Sequence, residues 1–288
     1  MPDIWEIAAI LTKLVLYIGV LGSVGLVIIL AAFGDLVSPL SDRIRLKAAL
    51  LAGGALASAV LTFMLRGAAL TGGADGMTDP EMLGLLWQTA VGDALVYRIV
   101  GSILIILGLF IPRVGQWIAL AGGLIALWSF AQIGHVPALE VTGVHLLLLL
   151  HLLGIAIWVG ILGPLHALSR RPEYLASAAT LGHRFGQAAS VIVPALILAG
   201  GLMAWMLLGD LRALATTGYG QILLIKLLLV GSVLTLAAAN KLRFVPAMQA
   251  GDDKAARHLA RSIEIETVVI LVAMAATATL TTVLALPN

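Results

Sequence analysis

His151 lies inside Leu146–Leu168, an almost purely apolar run, and it is the residue of this sequence best placed to do chemistry. Trp158 follows seven positions later, which brings both side chains to one face of a helix. An ionisable group so deep in a hydrophobic span costs roughly 2 to 3 kcal/mol, so such groups usually mark a pathway or a site. His135 and His145 lie just upstream, so half of the six histidines fall within seventeen positions.

Histidine and methionine side chains near one end of the apolar runs suggest copper. Thioether and imidazole groups without thiolates suit Cu(I), and imidazole also suits Cu(II), whereas hard cations prefer carboxylates. Six positions separate His145 from His151, so they do not share a helix face and need a further ligand. Each histidine could instead have a structural role and hydrogen-bond to a backbone carbonyl. Each methionine could instead fill a gap in the packing between helices. The predicted metal ligands are His135, His145, His151, Met203 and Met206.

A polar stripe runs along the helix of His151 toward its other end. It passes Trp158 and reaches His166, while Glu266 stands near the start of the last apolar run. We interpret these three residues as a pathway with its exit, although the dipole at a helix N-terminus would explain the glutamate equally well.

Two intramembrane cations, Arg98 and Lys226, occupy matching positions of an apparent internal repeat. They could pair with Asp93 or Glu6, hold an anion, or hold the carboxylates of a cofactor. The segments Thr89–Arg98 and Thr217–Lys226 share threonine, glycine and the cation at an offset of 128 residues. We therefore expect two four-helix halves in parallel orientation, residues 1–134 and 135–288, with chance similarity of leucine-rich helices as the alternative.

The composition indicates an all-α integral membrane protein. The chain is 61% hydrophobic and 11% charged, with a mean hydropathy of +1.08, whereas soluble domains contain about 25% charged residues. The absence of cysteine excludes disulfides, thiolate metal sites and iron–sulfur clusters. No phosphate-binding loop, zinc-protease motif or nucleophile elbow is present, so we expect no enzyme. The basic residues lie in short loops, so the expected surroundings are membrane lipid, with no nucleic acid partner.

Eight apolar runs are long enough to predict transmembrane helices, since a span needs about 20 residues. Twelve lysines and arginines fall in the odd-numbered loops and two in or beside the even ones, which places the odd loops in the cytoplasm and both termini outside. The acidic start of the chain predicts no cleavable signal. The predicted spans are 7–33, 48–70, 84–111, 115–134, 144–168, 186–208, 219–240 and 263–285.

Several short motifs, taken together in order and spacing, resemble the copper resistance protein D (CopD) family. The resemblance is good over residues 130–288 and thin over 1–130, where mainly the span count and Gly92 to Arg98 agree. The motifs are Gly134-His135, His151 to Gly160, Arg184-Phe185, Gly220 to Lys226, Asn240 to Pro246 and Arg261 to Glu266.

The resemblance implies a copper uptake protein of the bacterial inner membrane, served by a periplasmic copper-binding partner of the CopC type. Two further interpretations stay open from the residues. One is a b-type cytochrome, in which membrane histidines hold haem and Arg98 and Lys226 pair with its propionates. The other is an accessory membrane subunit without chemistry of its own.

The charge distribution predicts that the C-terminus lies outside the cytoplasm. A C-terminal fusion to a reporter that is active only in the cytoplasm should therefore give no signal, and the same reporter in the loop after residue 170 should give a strong one. A bright C-terminal fusion would invert every inside and outside assignment made above.

Overall fold

The structure, a computed structural model, describes residues 3–139, 141–284 and 286, and every regular element within them is a helix. The all-α prediction is confirmed for these residues. A π-helical turn, Asn240–Phe244, joins α9 to α10. The α-helices are α1 (Ile4–Val37), α2 (Ser41–Thr71), α3 (Pro80–Trp87), α4 (Ala90–Phe110), α5 (Gly115–Trp128), α6 (Val144–Ser169), α7 (Leu175–Leu208), α8 (Ala213–Thr216), α9 (Gly218–Ala239), α10 (Val245–Gln249) and α11 (Asp253–Leu280).

Six helical segments of the described chain are long and apolar enough to cross a membrane. The first, Ile4–Thr71, has 68 residues and holds both α1 and α2, which a 3-10 turn at Ser38–Leu40 separates. The apolar helix Gly115–Ala131 is shorter; α5 within it has 14 residues, or about 21 Å, against a hydrocarbon thickness of about 30 Å. The fold is that of a multi-pass membrane protein. The number of membrane-length segments is six and not the predicted eight, because α1 and α2 form one segment and Gly115–Ala131 is too short to be included.

The start of α1 and the end of α11 lie together at one end of the helix bundle, which we call the terminal face. Lys13 donates a hydrogen bond from Nζ to the carbonyl oxygen of Thr281 at 2.7 Å, and the hydroxyls of Tyr17 and Thr281 are 3.2 Å apart. At the other end, the opposite face, Arg184 in the first third of α7 forms an ion pair with Asp35 near the end of α1, at 3.3 Å.

Helix α1 is the centre of the packing, because α2, α5, α6 and α11 all contact it. Its closest approach to α6 is at two glycines, Gly25 and Gly160. A Cβ atom on Gly160 would lie 2.6 Å from the Cα of Gly25, and one on Gly25 would lie 2.8 Å from the Cα of Gly160. Backbones come this close in membranes only where side chains are absent.

Helices α4 and α9 begin in the same way. Thr89 caps α4 by accepting from the amide of Val91, and Thr217 caps α9 by accepting from the amide of Gly220. In both helices a glycine near the start, Gly92 or Gly220, faces the backbone of a short preceding helix that leaves no room for a Cβ. The threonine and glycine shared by the two segments therefore have one structural explanation, a capped start packed on a short helix.

The glycine contact predicts a position-specific effect on stability. Gly160→Ala should force α1 and α6 apart and lower the free energy of unfolding by about 1 to 3 kcal/mol, the usual cost of overpacking. Gly163→Ala, on the same helix but with no atom within 4 Å of its Cβ position, should leave it unchanged or slightly raised. Thermal unfolding in detergent measures both, and equal effects of the two variants would contradict the close helix contact.

Candidate functional site

His151 points from α6 toward α7 and holds an imidazole nitrogen that has no partner. Its Nδ1 atom is buried and has no hydrogen-bond partner among the described residues. The ring lies beside Gly200 of α7, where a Cβ would come within 3.1 Å of the imidazole Cε1. Lys226 of α9 lies close enough to act on His151 electrostatically. Glycine at position 200 thus leaves room for the ring against the neighbouring helix.

The two methionines predicted as ligands lie beyond Gly200 on α7, toward the terminal face. Met203 follows Gly200 by three residues and is buried, with 6% of its surface exposed. Met206 follows after three more and is partly exposed. Residues three apart on a helix are neighbours on its surface, so Met203 lies next to Gly200, and Met206 lies next to Met203. Gly200 and Met206 are six residues apart and do not share a helix face.

The other two predicted histidine ligands contact groups at different places. The Nε2 atom of His135 is 3.2 Å from the carbonyl oxygen of Leu280 at the end of α11, and its ring meets the ring of Tyr219 edge-on at 5.8 Å. His145 instead packs against Trp128, with ring centroids 6.2 Å apart. Across the described chain, no three His, Cys, Asp or Glu side chains form a group that could hold a metal ion. The structure therefore does not bring the three histidines together.

A buried polar network links three helices below His151, and Glu266 is its centre. The indole Nε1 of Trp158 donates to Oε1 of Glu266 at 2.5 Å, and Nδ2 of Asn240 donates to Oε2 at 3.1 Å. Only 2% of Glu266 and 8% of Trp158 are exposed. Sequence reasoning selected Trp158 and Glu266 separately but missed their bond and the role of Asn240, whose only signal was its place in the family-like motif.

His166 marks the opposite face, where its Nε2 atom lies 2.9 Å from Oε1 of Glu264. Arg170, one turn further on, contacts the same oxygen at 3.3 Å. The side chain of Glu264 is 51% exposed, so this group is open to solvent, unlike the network around Glu266. His151, Trp158 and His166 thus succeed one another along α6, from the buried part of the helix to its exposed end.

The two predicted intramembrane cations have different surroundings from those expected. Arg98 is 5% exposed, donates from Nε to the Ser129 hydroxyl at 3.3 Å, and lies 5.4 Å from the ring centre of Phe130. No ion pair of the described residues includes Asp93 or Glu6, the two acids offered as partners from the sequence. Lys226 is partly buried and likewise enters none of these ion pairs.

The apolar helices and the buried polar groups define a multi-pass helical membrane protein. Residues 1–143 match the family described as Copper resistance protein D-like, N-terminal domain, and residues 179–280 match Copper resistance protein D. The chain belongs to the copper resistance protein D family. The resemblance over residues 1–130, thin when judged from the short motifs, is thus extended, since residues 1–143 match an N-terminal domain of the family. No curated protein and no solved structure matches the chain significantly.

Removing one donor from Glu266 should destabilise the protein. Trp158→Phe deletes the indole N–H and leaves a buried carboxyl oxygen without its partner, which should cost about 1 to 3 kcal/mol. Trp117→Phe is the matched control, because Trp117 is 70% exposed and its replacement should change the free energy of unfolding by no more than ~0.5 kcal/mol. Unfolding midpoints in detergent compare the two, and equal midpoints would contradict a stabilising Trp158–Glu266 bond.

Proposed function

We propose that this protein imports copper across the bacterial inner membrane as a permease, not an enzyme, and so serves copper homeostasis or resistance. Membership of the copper resistance protein D family supports a role in copper handling. The observation that carries the transport proposal is the buried Nδ1 of His151, which lacks a partner among the described residues inside a membrane-length helix.

A copper ion supplies the partner that this nitrogen lacks. A buried polar atom left unsatisfied costs about 1 to 3 kcal/mol, so an orphaned imidazole nitrogen is costly unless something binds it. Imidazole and thioether both bind Cu(I), and Met203 lies one helical turn beyond the glycine that His151 faces. In this proposal His151 and Met203 hold the ion, while Met206, His145 and His135 receive it at the terminal face.

The ion then moves along α6 toward the opposite face. It passes Trp158 and leaves near His166, whose exposed pair with Glu264 offers a polar exit. Lys226 is close enough to act on His151, and the positive charge that it carries when protonated keeps copper binding weak enough for release, as conduction requires. Arg98 has no role in binding the ion in this proposal.

The direction of transport depends on the topology that the loop charges predict. We propose eight spans in two parallel halves, with the terminal face in the periplasm and the opposite face in the cytoplasm. A periplasmic copper-binding protein of the CopC type would then deliver copper to His135 and His145, the two histidines nearest to loops of the terminal face.

The proposal predicts that cells expressing the protein accumulate more copper and that His151→Ala removes most of the gain. Alanine deletes the ligand at a depth where water cannot replace it. His183→Ala is the matched control, since His183 is exposed near the start of α7 and its loss should leave the gain intact. Total cell copper, normalised to the amount of protein in the membrane, measures the effect.

The other two functions appear as distinct results of the same experiment. A b-type cytochrome would show a Soret band near ~410–430 nm that His151→Ala weakens, with cell copper unchanged. An accessory subunit would show neither the copper gain nor the haem band. Either result would overturn the permease proposal.

A further inference from the structure

Glu266 is a buried acid in the middle of the bundle, and the amide that contacts it has one unused atom. Both carboxyl oxygens already have donors, Trp158 on one and Asn240 on the other. The remaining polar atom of the group, Oδ1 of Asn240, is buried and has no hydrogen-bond partner in the described part of the chain. The group therefore contains one carboxyl and one amide oxygen that accepts no hydrogen bond among the described residues.

The charged groups nearest to Glu266 on the neighbouring helices contact residues other than Glu266. On α6, His166 and Arg170 bond to Glu264, and at the π-turn Lys241 donates to the Ser190 hydroxyl. Arg243 packs on Phe244, with 5.9 Å from its guanidinium carbon to the ring centre. Among the residues that the structure describes, no ion pair includes Glu266.

The remaining titratable groups lie far along their helices or bond at the bundle ends. His151 is seven residues before Trp158, or about 10 Å, and Lys226 is 14 residues before Asn240, or about 21 Å. On α1, Lys13 and Tyr17 bond to Thr281, and Asp35 pairs with Arg184. On α11 itself, His258 stacks on Phe244, while Arg261 lies more than one helical turn before Glu266. Among the described residues, therefore, no fixed cation neutralises a charged Glu266, and a proton is the cation best suited to do so.

The side-chain amide of Asn240 can serve Glu266 in either protonation state. With the carboxylate ionised, Nδ2 donates to Oε2, as in the described structure. With Oε2 protonated, a half-turn of the amide presents Oδ1, which then accepts the new O–H; amide nitrogen and oxygen occupy nearly equivalent positions. Asn240 opens the π-helical turn Asn240–Phe244, and such turns inside α-helices are frequent at functional sites.

We propose that Glu266 is an intramembrane proton-binding site and that its proton is exchanged for copper during transport. The inference deepens the proposed function and rests on it for the exchange step. The chemistry is one O–H bond at Oε2. It forms when a proton binds the carboxylate and breaks when a copper ion passes Trp158; the proton then leaves toward the terminal face while copper continues toward the opposite face. A proton and a passing cation compete for one carboxylate, so their fluxes run in opposite directions. Glu264, two residues earlier, is 51% exposed and pairs with His166, so it takes no part in the exchange.

Proton binding can be measured without copper, which separates this inference from the permease proposal. In lipid-reconstituted protein, the infrared C=O band of a buried carboxylic acid should appear and disappear with pH. Glu266→Gln, which has nearly the same shape and can still bond to Trp158 and Asn240, should lose that band. Glu264→Gln, the exposed neighbour, should keep it. A titrating band that survives in Glu266→Gln, or no such band in the unchanged protein, would overturn the proton site.

Exchange is tested in vesicles of phosphatidylethanolamine and phosphatidylglycerol that contain a pH-sensitive dye. Valinomycin with equal potassium on both sides holds the membrane voltage at zero. Uptake of Cu(I), kept reduced with ascorbate, should make the lumen more alkaline with the unchanged protein and with Glu264→Gln. Glu266→Gln should lose at least about nine-tenths of this proton flux. Lumen acidification, or an undiminished flux in Glu266→Gln, would overturn exchange; no copper uptake by the unchanged protein would overturn the permease proposal while the infrared result stands.

Asn240→Ala provides a second variant that keeps Glu266 itself. It removes an amide whose bond to the ionised carboxylate is stronger, by about 1 to 1.5 kcal/mol, than its bond to the neutral acid. The pH at which the infrared band changes should therefore rise by about one unit. A midpoint that stays unchanged or moves to lower pH would contradict the role of Asn240 as the donor that stabilises the ionised carboxylate.

Discussion

A polar group inside the hydrocarbon region must find its partner within the protein, because no water is present there to supply one. This constraint accounts for the contacts that join the two ends of the chain. The last carbonyl groups of α11 have no partner in their own helix, and Lys13 and His135 bond to those of Thr281 and Leu280. Basic side chains at a helix C-terminus also interact favourably with its dipole. The same need explains why buried Arg98 bonds to Ser129.

The constraint also distinguishes His135 and His166, whose ring nitrogens have hydrogen-bond partners, from His151, whose buried Nδ1 has none among the described residues. His135 has a backbone carbonyl as its partner and His166 has a carboxylate. His151 alone among these three keeps a buried nitrogen with no partner in the described chain, in a space that Gly200 leaves beside it. A functional role is thus indicated where the pairing rule is broken, not simply where a histidine occurs.

The structure brings together only some of the polar residues that the sequence analysis selected. Trp158 was recognised because it shares a helix face with His151, and Glu266 because it stands near the start of the last apolar run; the structure joins them with a hydrogen bond. Their partnership was not predictable, because 108 residues separate them and helix periodicity carries no information on which helix faces which. The expected cluster of three histidines failed for the same reason: His135 and His145 lie on either side of a loop and turn toward Leu280 and Trp128.

The sequence by itself determined the helical membrane class, the family and the approximate position of the helices, because hydrophobic length and local capping residues such as Thr89 and Thr217 act within one segment. The tertiary structure decided everything that depends on contact between segments. It selected α1 as the central helix, set the Gly25–Gly160 crossing, and placed Asn240 against Glu266. These choices depend on how backbones approach one another and which buried polar atoms remain unpaired, and neither quantity is a property of any single helix.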